Sequence, residues 1–201
     1  MTVMVDHEPL ATRDLGLQTL GHVLSHLQKD NRLVVQVLID GQAPPPGELN
    51  GLRQTNLEGR TIFIETADPR ELSLQVLEEV ASQLRQSGPA YGEAAELFAR
   101  NQANRALEKL SGCLRVWQDA EESVSKVAQL LRLDLELIEV EGRSLREAMQ
   151  EFAEQLKQIR STLEHRDYVS LSDILIYETG DITRRWIAAV GAVGESVRQL
   201  R

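Results

Sequence analysis

The segment that decides the fold is Ser144-Leu-Arg-Glu-Ala-Met149-Gln-Glu-Phe152-Ala-Glu-Gln-Leu156-Lys-Gln-Ile159-Arg-Ser-Thr-Leu163. From Leu145 to Leu163 its large apolar residues follow each other at steps of four, three, four, three and four. This heptad spacing places them on one stripe of an α-helix that packs against other helices. Ser144 and Glu147 have the spacing of a capping box. The segment therefore predicts a capped helix within a helical bundle.

Helical periodicity continues on both sides of this segment. Asp68-Pro69-Arg70-Glu71 is a strong helix start, and Ser87-Gly88-Pro89 is expected to stop or kink that helix. One helix over about residues 101–133 is favoured over two, and the last helix is predicted from about Tyr168 to Val197. Four or five antiparallel helices with short turns predict an up-down bundle over residues 68–201.

Residues 1–67 predict a small α+β unit before the bundle. Apolar residues at helical spacing predict one helix, and short β-branched runs predict two or three strands. The helix covers Leu17 to Leu27, the strands are Thr2–Val5, Leu33–Ile39 and Thr61–Thr66, and Pro44-Pro-Pro46-Gly47 forms a loop. This set resembles a β-grasp-like or a split β-α-β module, and the strand order stays open.

Composition narrows the class of partner. A net charge of -9 argues against binding to nucleic acids and to anionic membranes. The longest uncharged apolar run, Trp186 to Gly194, is far shorter than the roughly 20 residues of a membrane span. The first residues have acids where a signal peptide has bases. These features predict a cytoplasmic protein.

Catalytic and metal-binding patterns are missing from the sequence. His22 and His26 are four residues apart, but a metal site needs a third ligand, and no Glu-x-x-His pair supports a di-iron site. Cys113, the single cysteine, is expected to be a packed core residue. We therefore expect a protein that is not an enzyme, with no catalytic, cofactor-binding or metal-binding residue.

Five residues are the candidates for partner binding. Glu121 and Glu178 each occupy a position where the apolar seam predicts leucine, so each marks a helix end, a rim position or a polar contact. Trp117 and Trp186 are predicted core anchors, which would become partner hot spots only if exposed. Tyr177 precedes Glu178 and completes the set.

Short landmarks in the helical half resemble a known family. These landmarks are Asp68-Pro-Arg-Glu-Leu72, Glu141-Gly-Arg-Ser-Leu145, Leu163-Glu-His-Arg-Asp167 and Arg185-Trp186. Their order resembles that in flagellar export chaperones, small helical bundles that clamp the helical tail of flagellin. The likeness covers roughly residues 68–190 and implies a protein helix as partner. The chain adds about 67 N-terminal residues and lacks that family's Asn-rich segment, so its partner-binding residues are not transferred.

The whole two-part plan is also similar to that of uncharacterised bacterial proteins. This second similarity rests on Thr19-Leu-Gly21, Asp40-Gly41, Glu141-Gly142 and Tyr177-Glu178. It implies no function.

Three functions follow as alternatives. The first is a non-catalytic interaction module, a chaperone-like or adaptor bundle that binds a partner's amphipathic helix. The second is an enzyme or a small-molecule-binding protein with a pocket between the two parts, with Asp173, Tyr177 and Glu178 near its mouth. The third is a structural homodimer in which apolar seams pack against their own copies.

Overall fold

Four strands near the N-terminus form one sheet in the computed structural model, which describes residues 2–45 and 48–200. The chain divides into two compact units, one that ends at Leu72 and one that begins at Ser73. Residues 46 and 47 of the predicted proline loop lie outside the described residues.

The sheet of the first unit has a parallel centre. Its strands are β1 (Thr2–Val5), β2 (Glu8–Pro9), β3 (Leu33–Ile39) and β4 (Thr61–Ala67). The order is β2-β1-β4-β3, with β1 parallel to β4 and both outer pairs antiparallel. The strand order, open from the sequence, is thus β-grasp-like. The two-residue strand β2 was not predicted, since it is too short for alternation and contains Pro9.

One helix covers one face of this sheet. Helix α1 spans Leu20–Lys29, and the hydroxyl of Thr19 accepts a bond from the amide of His22 at 3.3 Å. The helix ends at Asp30-Asn31 as predicted, with Asn31 in a left-handed conformation at φ 56°. The buried side of α1 forms one apolar core with the inward rows of β1, β3 and β4.

The second unit is helical. Its helices are α2 (Pro69–Ala99), α3 (Ala103–Leu131), α4 (Leu145–Glu164), α5 (Tyr168–Tyr177) and α6 (Thr179–Gln199). A two-stranded hairpin, β5 (Glu139–Val140) and β6 (Arg143–Ser144), precedes α4. All five helices contribute to one apolar core. The predicted fold class, mainly α with a small α+β unit in front, is confirmed.

Helix α2 continues through Pro89, so of the stop or kink expected there the stop is wrong. The buried apolar residues before the proline, ending at Leu84, and those after it, starting at Tyr91, are in phase over two turns. The hydroxyl of Ser87 also donates to the carbonyl of Leu84 at 2.8 Å. Packing on both sides therefore outweighs the roughly 3 kcal/mol that an internal proline costs.

The predicted last helix is instead two helices, which is a second correction. Glu178 lies between α5 and α6, and the hydroxyl of Thr179 donates to the carbonyl of Leu175 at 2.7 Å. This side-chain bond competes with the regular backbone hydrogen bonds of a continuous helix. Helix α3, in contrast, is the single long helix that was favoured.

Candidate interaction surface on the fifth helix

Helix α5 has a charged cap at its start. The carboxylate of Asp167 accepts bonds from the amide of Ser170 at 3.1 Å and from its hydroxyl at 2.7 Å. The hydroxyl bond is the largest cause of a lowered pKa for Asp167. The bond to the Ser170 amide satisfies an unpaired backbone donor of the first turn and fixes where the helix begins.

The inner side of α5 belongs to the bundle core. Leu171, Ile174 and Leu175 are buried there. At the start of the helix, the ring of Tyr168 stacks on that of Phe98 with centroids 5.1 Å apart. These contacts hold the short helix against its neighbours.

The outer side of α5 is apolar as well. Val169, Ile176 and Tyr177 expose 76%, 55% and 77% of their surface. Their spacing places them on one face of the helix, with exposed Asp173 between them. We call Val169, Asp173, Ile176 and Tyr177 the α5 outer face. Large apolar side chains clustered on an outer helix face are typical of an interaction site rather than of a solvated surface.

Two acids accompany this face. Asp173 and Glu178 are both exposed, and neither forms an ion pair within the part of the chain that the structure describes. Negative charge beside apolar surface complements a partner segment with basic and apolar residues.

Of the five predicted site residues, only Tyr177 and Glu178 lie together at the surface. Sequence reasoning missed Val169 and Ile176, because it followed only the seam that faces the core. The signal was present, since α5 is apolar at most of its positions from Tyr168 to Tyr177.

The two tryptophans are core residues, so the alternative in which they form partner hot spots is wrong. Trp117 and Trp186 each expose 1% of their surface. Trp117 stacks on Tyr91 at 5.0 Å, and its indole nitrogen donates to the hydroxyl of Thr183 at 3.4 Å. Trp186 stacks on Phe152 at 4.1 Å. In this conformation neither ring can contact a partner.

Glu121 does not join the α5 outer face either. It lies half-buried inside α3, and the fully buried Ala120 takes the inward position at that turn. At this turn the buried seam therefore continues through the small residue Ala120 rather than through position 121.

Two titratable groups in the helical core are held neutral. Burial is the main cause that raises the pKa of the Tyr91 phenol and of the Cys113 thiol. A thiol with a raised pKa has little thiolate to act as a nucleophile. Cys113 is thus a packed core residue, as predicted.

Near the α4–α6 contact, a cluster of charged side chains forms ion pairs among its own members. Glu151 of α4 pairs with Arg143 of the hairpin and with Arg185 of α6, the latter at 3.4 Å. Asp181 pairs with Arg184 and Arg185, each at 2.7 Å, and Arg184 also reaches Glu141. Arg184 contributes the largest share of the lowered pKa of Asp181. The cluster fastens the hairpin to two helices.

The histidines on α1 make local contacts. The Nδ1 atom of His22 accepts a bond from the amide of Gln18 at 3.4 Å, and His26 lies 3.6 Å from Asp30. Across residues 2–45 and 48–200, no three metal-binding side chains gather at one point. Over the same residues, no helix is long and apolar enough to span a membrane.

The helical unit matches one known protein family. No curated protein and no solved structure matches the chain. A family model matches residues 75–189, which include helices α3 to α5, most of α2 and half of α6. The chain therefore belongs to the family described as a domain of unknown function, DUF8042.

Proposed function

We propose that this protein is a non-catalytic interaction module whose α5 outer face binds an amphipathic segment of another protein. The observation that carries the proposal is the exposure of Val169, Ile176 and Tyr177 on one face of a short helix. Exposed aromatic and aliphatic side chains are the usual anchors of a helix-binding surface.

The stability of the fold does not require these side chains. The inner face of α5 already supplies Leu171, Ile174 and Leu175 to the core. The apolar outer face gains less burial within this unit than the inner face, and it raises the risk of aggregation. A binding role gives such residues a purpose that folding does not.

Charge supports a basic partner segment. Asp173 lies within the α5 outer face, and Glu178 follows its end. The whole chain carries a net charge of -9. Complementary charge raises association rates and selects partners, while the apolar anchors contribute most of the affinity.

A chaperone-like role is the form of this function that the sequence resemblance favours. Flagellar export chaperones bind a helical tail, and one of the resembling landmarks, Leu163–Asp167, leads directly into α5. We place the protein in the bacterial cytoplasm under the same proposal. The pairing of the charged groups around Glu151 supports the absence of catalysis.

Capture from a lysate of the native host tests the proposal. The wild-type chain is compared with the double variant Val169→Lys, Ile176→Lys, which places two cations on the α5 outer face. The matched control is Gln129→Lys, Gln158→Lys, which adds the same charge at exposed positions of α3 and α4.

We expect one protein to be retained by the wild type and the control and to be lost by the α5 variant. A partner retained equally by all three chains would contradict the assignment to α5. Failure of the wild type to retain any protein would contradict the interaction role.

A further inference from the structure

The outer edge of the first unit's sheet is an unpaired strand. β3 is the end strand in the order β2-β1-β4-β3, and no described strand pairs along its other side. From Leu33 to Ile39 it contains neither a charged residue nor a proline. Monomeric proteins usually protect such edges with lysine, proline, bulges or very short strands, because free edges pair with other chains.

Hydrogen-bond alternation shows which backbone groups face outward. The amide of Asp40 donates to the carbonyl of Thr61 at 2.7 Å, so Leu38, two residues earlier, also bonds toward β4. Val37 and Ile39 therefore direct their backbone groups to the free edge. Those of Ile39 exchange bonds with Gln42 at 2.9 and 3.0 Å, which leaves the free edge from Leu33 to Leu38.

A bulge changes the side-chain alternation along this edge. The register with β4 shifts between Val34 and Gln36, so Val35 is an extra residue. Val34 and Val37 both pack on the α1 side. Val35 and Gln36 are both exposed on the opposite, open face, where Val35 exposes 51% of its surface.

This pattern is palindromic. From Leu33 to Leu38 the side chains point to the open, inner, open, open, inner and open face. Reversing the strand gives the same order. An antiparallel copy can therefore pair Val34 with Val37 and Val35 with Gln36, and every pair shares a face. An unrelated peptide need not have this order of side-chain faces, whereas a second copy of this chain always has it.

The charges at the ends of the strand also match. Arg32 precedes the strand and Asp40 follows it, and both side chains remain partly exposed beside their intramolecular partners. Antiparallel pairing brings the Arg32 end of one copy beside the Asp40 end of the other. Each end thus brings two balanced ion pairs together, Arg32–Asp6 of one copy and Asp40–Arg60 of the other, while the paired segment between them is uncharged.

We infer that two copies of this chain associate through their β3 edges, antiparallel about a two-fold axis between Val35 and Gln36, into one eight-stranded sheet. This interface lies in the first unit and is independent of the α5 outer face. It differs from a dimer formed by packing of helical seams.

Sedimentation equilibrium of the full chain tests the inference. We expect a dimer for the wild type, and Val35→Lys should raise its dissociation constant about tenfold or more, because two lysines meet near the axis. The control is Phe63→Lys on the inner strand β4, which lies on the same open face and is 40% exposed. It should leave the dimer intact.

A wild-type chain that stays monomeric would overturn the inference. Equal dissociation by both lysine variants would also overturn it, in favour of packing between open sheet faces.

Spin labels provide a measurement that does not depend on a disruptive variant. A label at Glu8→Cys, in a Cys113→Ala background, lies on the far edge strand β2. With neighbouring strands about 4.8 Å apart, the two labels should be about 34 Å apart in the dimer. A distance below about 20 Å would contradict edge pairing.

Discussion

Helices α4 and α5 are neighbours in the same bundle, and their inner faces are alike. Both begin at a side-chain cap, at Ser144 and Asp167, and both bury a row of apolar residues. Their outer faces differ. On α4 the outer side carries ion pairs, such as Glu154 with Lys157 at 2.7 Å, whereas α5 presents the α5 outer face.

The comparison separates what the fold needs from what it does not. A capped helix with one apolar stripe is sufficient to join the bundle, as α4 demonstrates. The second apolar face of α5 exceeds that requirement. It is therefore the part of the helical unit that most needs an explanation beyond folding.

The largest expected effect comes from the inner face of α4. Phe152 is buried and stacks on Trp186 at 4.1 Å. Phe152→Ala should lower the free energy of unfolding by about 3–5 kcal/mol, because it removes apolar contact and leaves a cavity. Urea titration followed by circular dichroism measures it. A loss below about 1 kcal/mol would contradict the core position.

The two faces of α5 should respond unequally. Leu171→Ala on the inner face should cost about 2–5 kcal/mol, since Leu171 is fully buried. Ile176→Ala on the outer face should change stability by less than about 0.5 kcal/mol. Equal losses in the same urea titration would mean that the outer face is part of a core.

The cap of α4 should contribute less. The Ser144 hydroxyl accepts from the amide of Glu147 at 3.2 Å, and the Glu147 carboxylate accepts from the amide of Ser144 at 3.0 Å. Ser144→Ala should cost about 1 kcal/mol. Ser144→Asp, which keeps an acceptor at the cap, should restore most of the loss in thermal unfolding experiments.

The cap of α5 should add a small pH dependence that the Ser144 hydroxyl cannot give. The pKa of Asp167 lies below its usual value of 3.8 in the folded chain, chiefly because of the Ser170 hydroxyl bond. A lowered pKa stabilises the fold above pH 3.8, and this contribution disappears as the pH falls through the folded value. The melting temperature of the wild type relative to Asp167→Asn should be constant near neutral pH and fall in acid. A difference that does not change with pH would contradict it.

Most helices and strands were predictable, because their signals are local. The heptad stripe after Ser144 predicted α4, and β-branched runs predicted β3 and β4. The stop at Pro89 and the single last helix from Tyr168 to Val197 were misjudged for a physical reason. Whether a proline is tolerated, or a helix bends, depends on packing by residues that are distant in the sequence.

Only part of the candidate site was accessible from the sequence. Tyr177 and Glu178 were singled out, but Trp117 and Trp186 took buried positions against Tyr91 and Phe152. A helical repeat shows which residues share a face. It does not tell which of two apolar faces finds a neighbour.

By itself, the sequence determined the helical bundle, the caps, the two-part plan and the acidic surface, because periodicity and charge are properties of neighbouring residues. Tertiary structure alone decided the order β2-β1-β4-β3, the free edge of β3 and the exposure of the α5 outer face. These features depend on which surfaces meet when distant segments pack, and burial of apolar area at that step selects among alternatives that are locally equivalent.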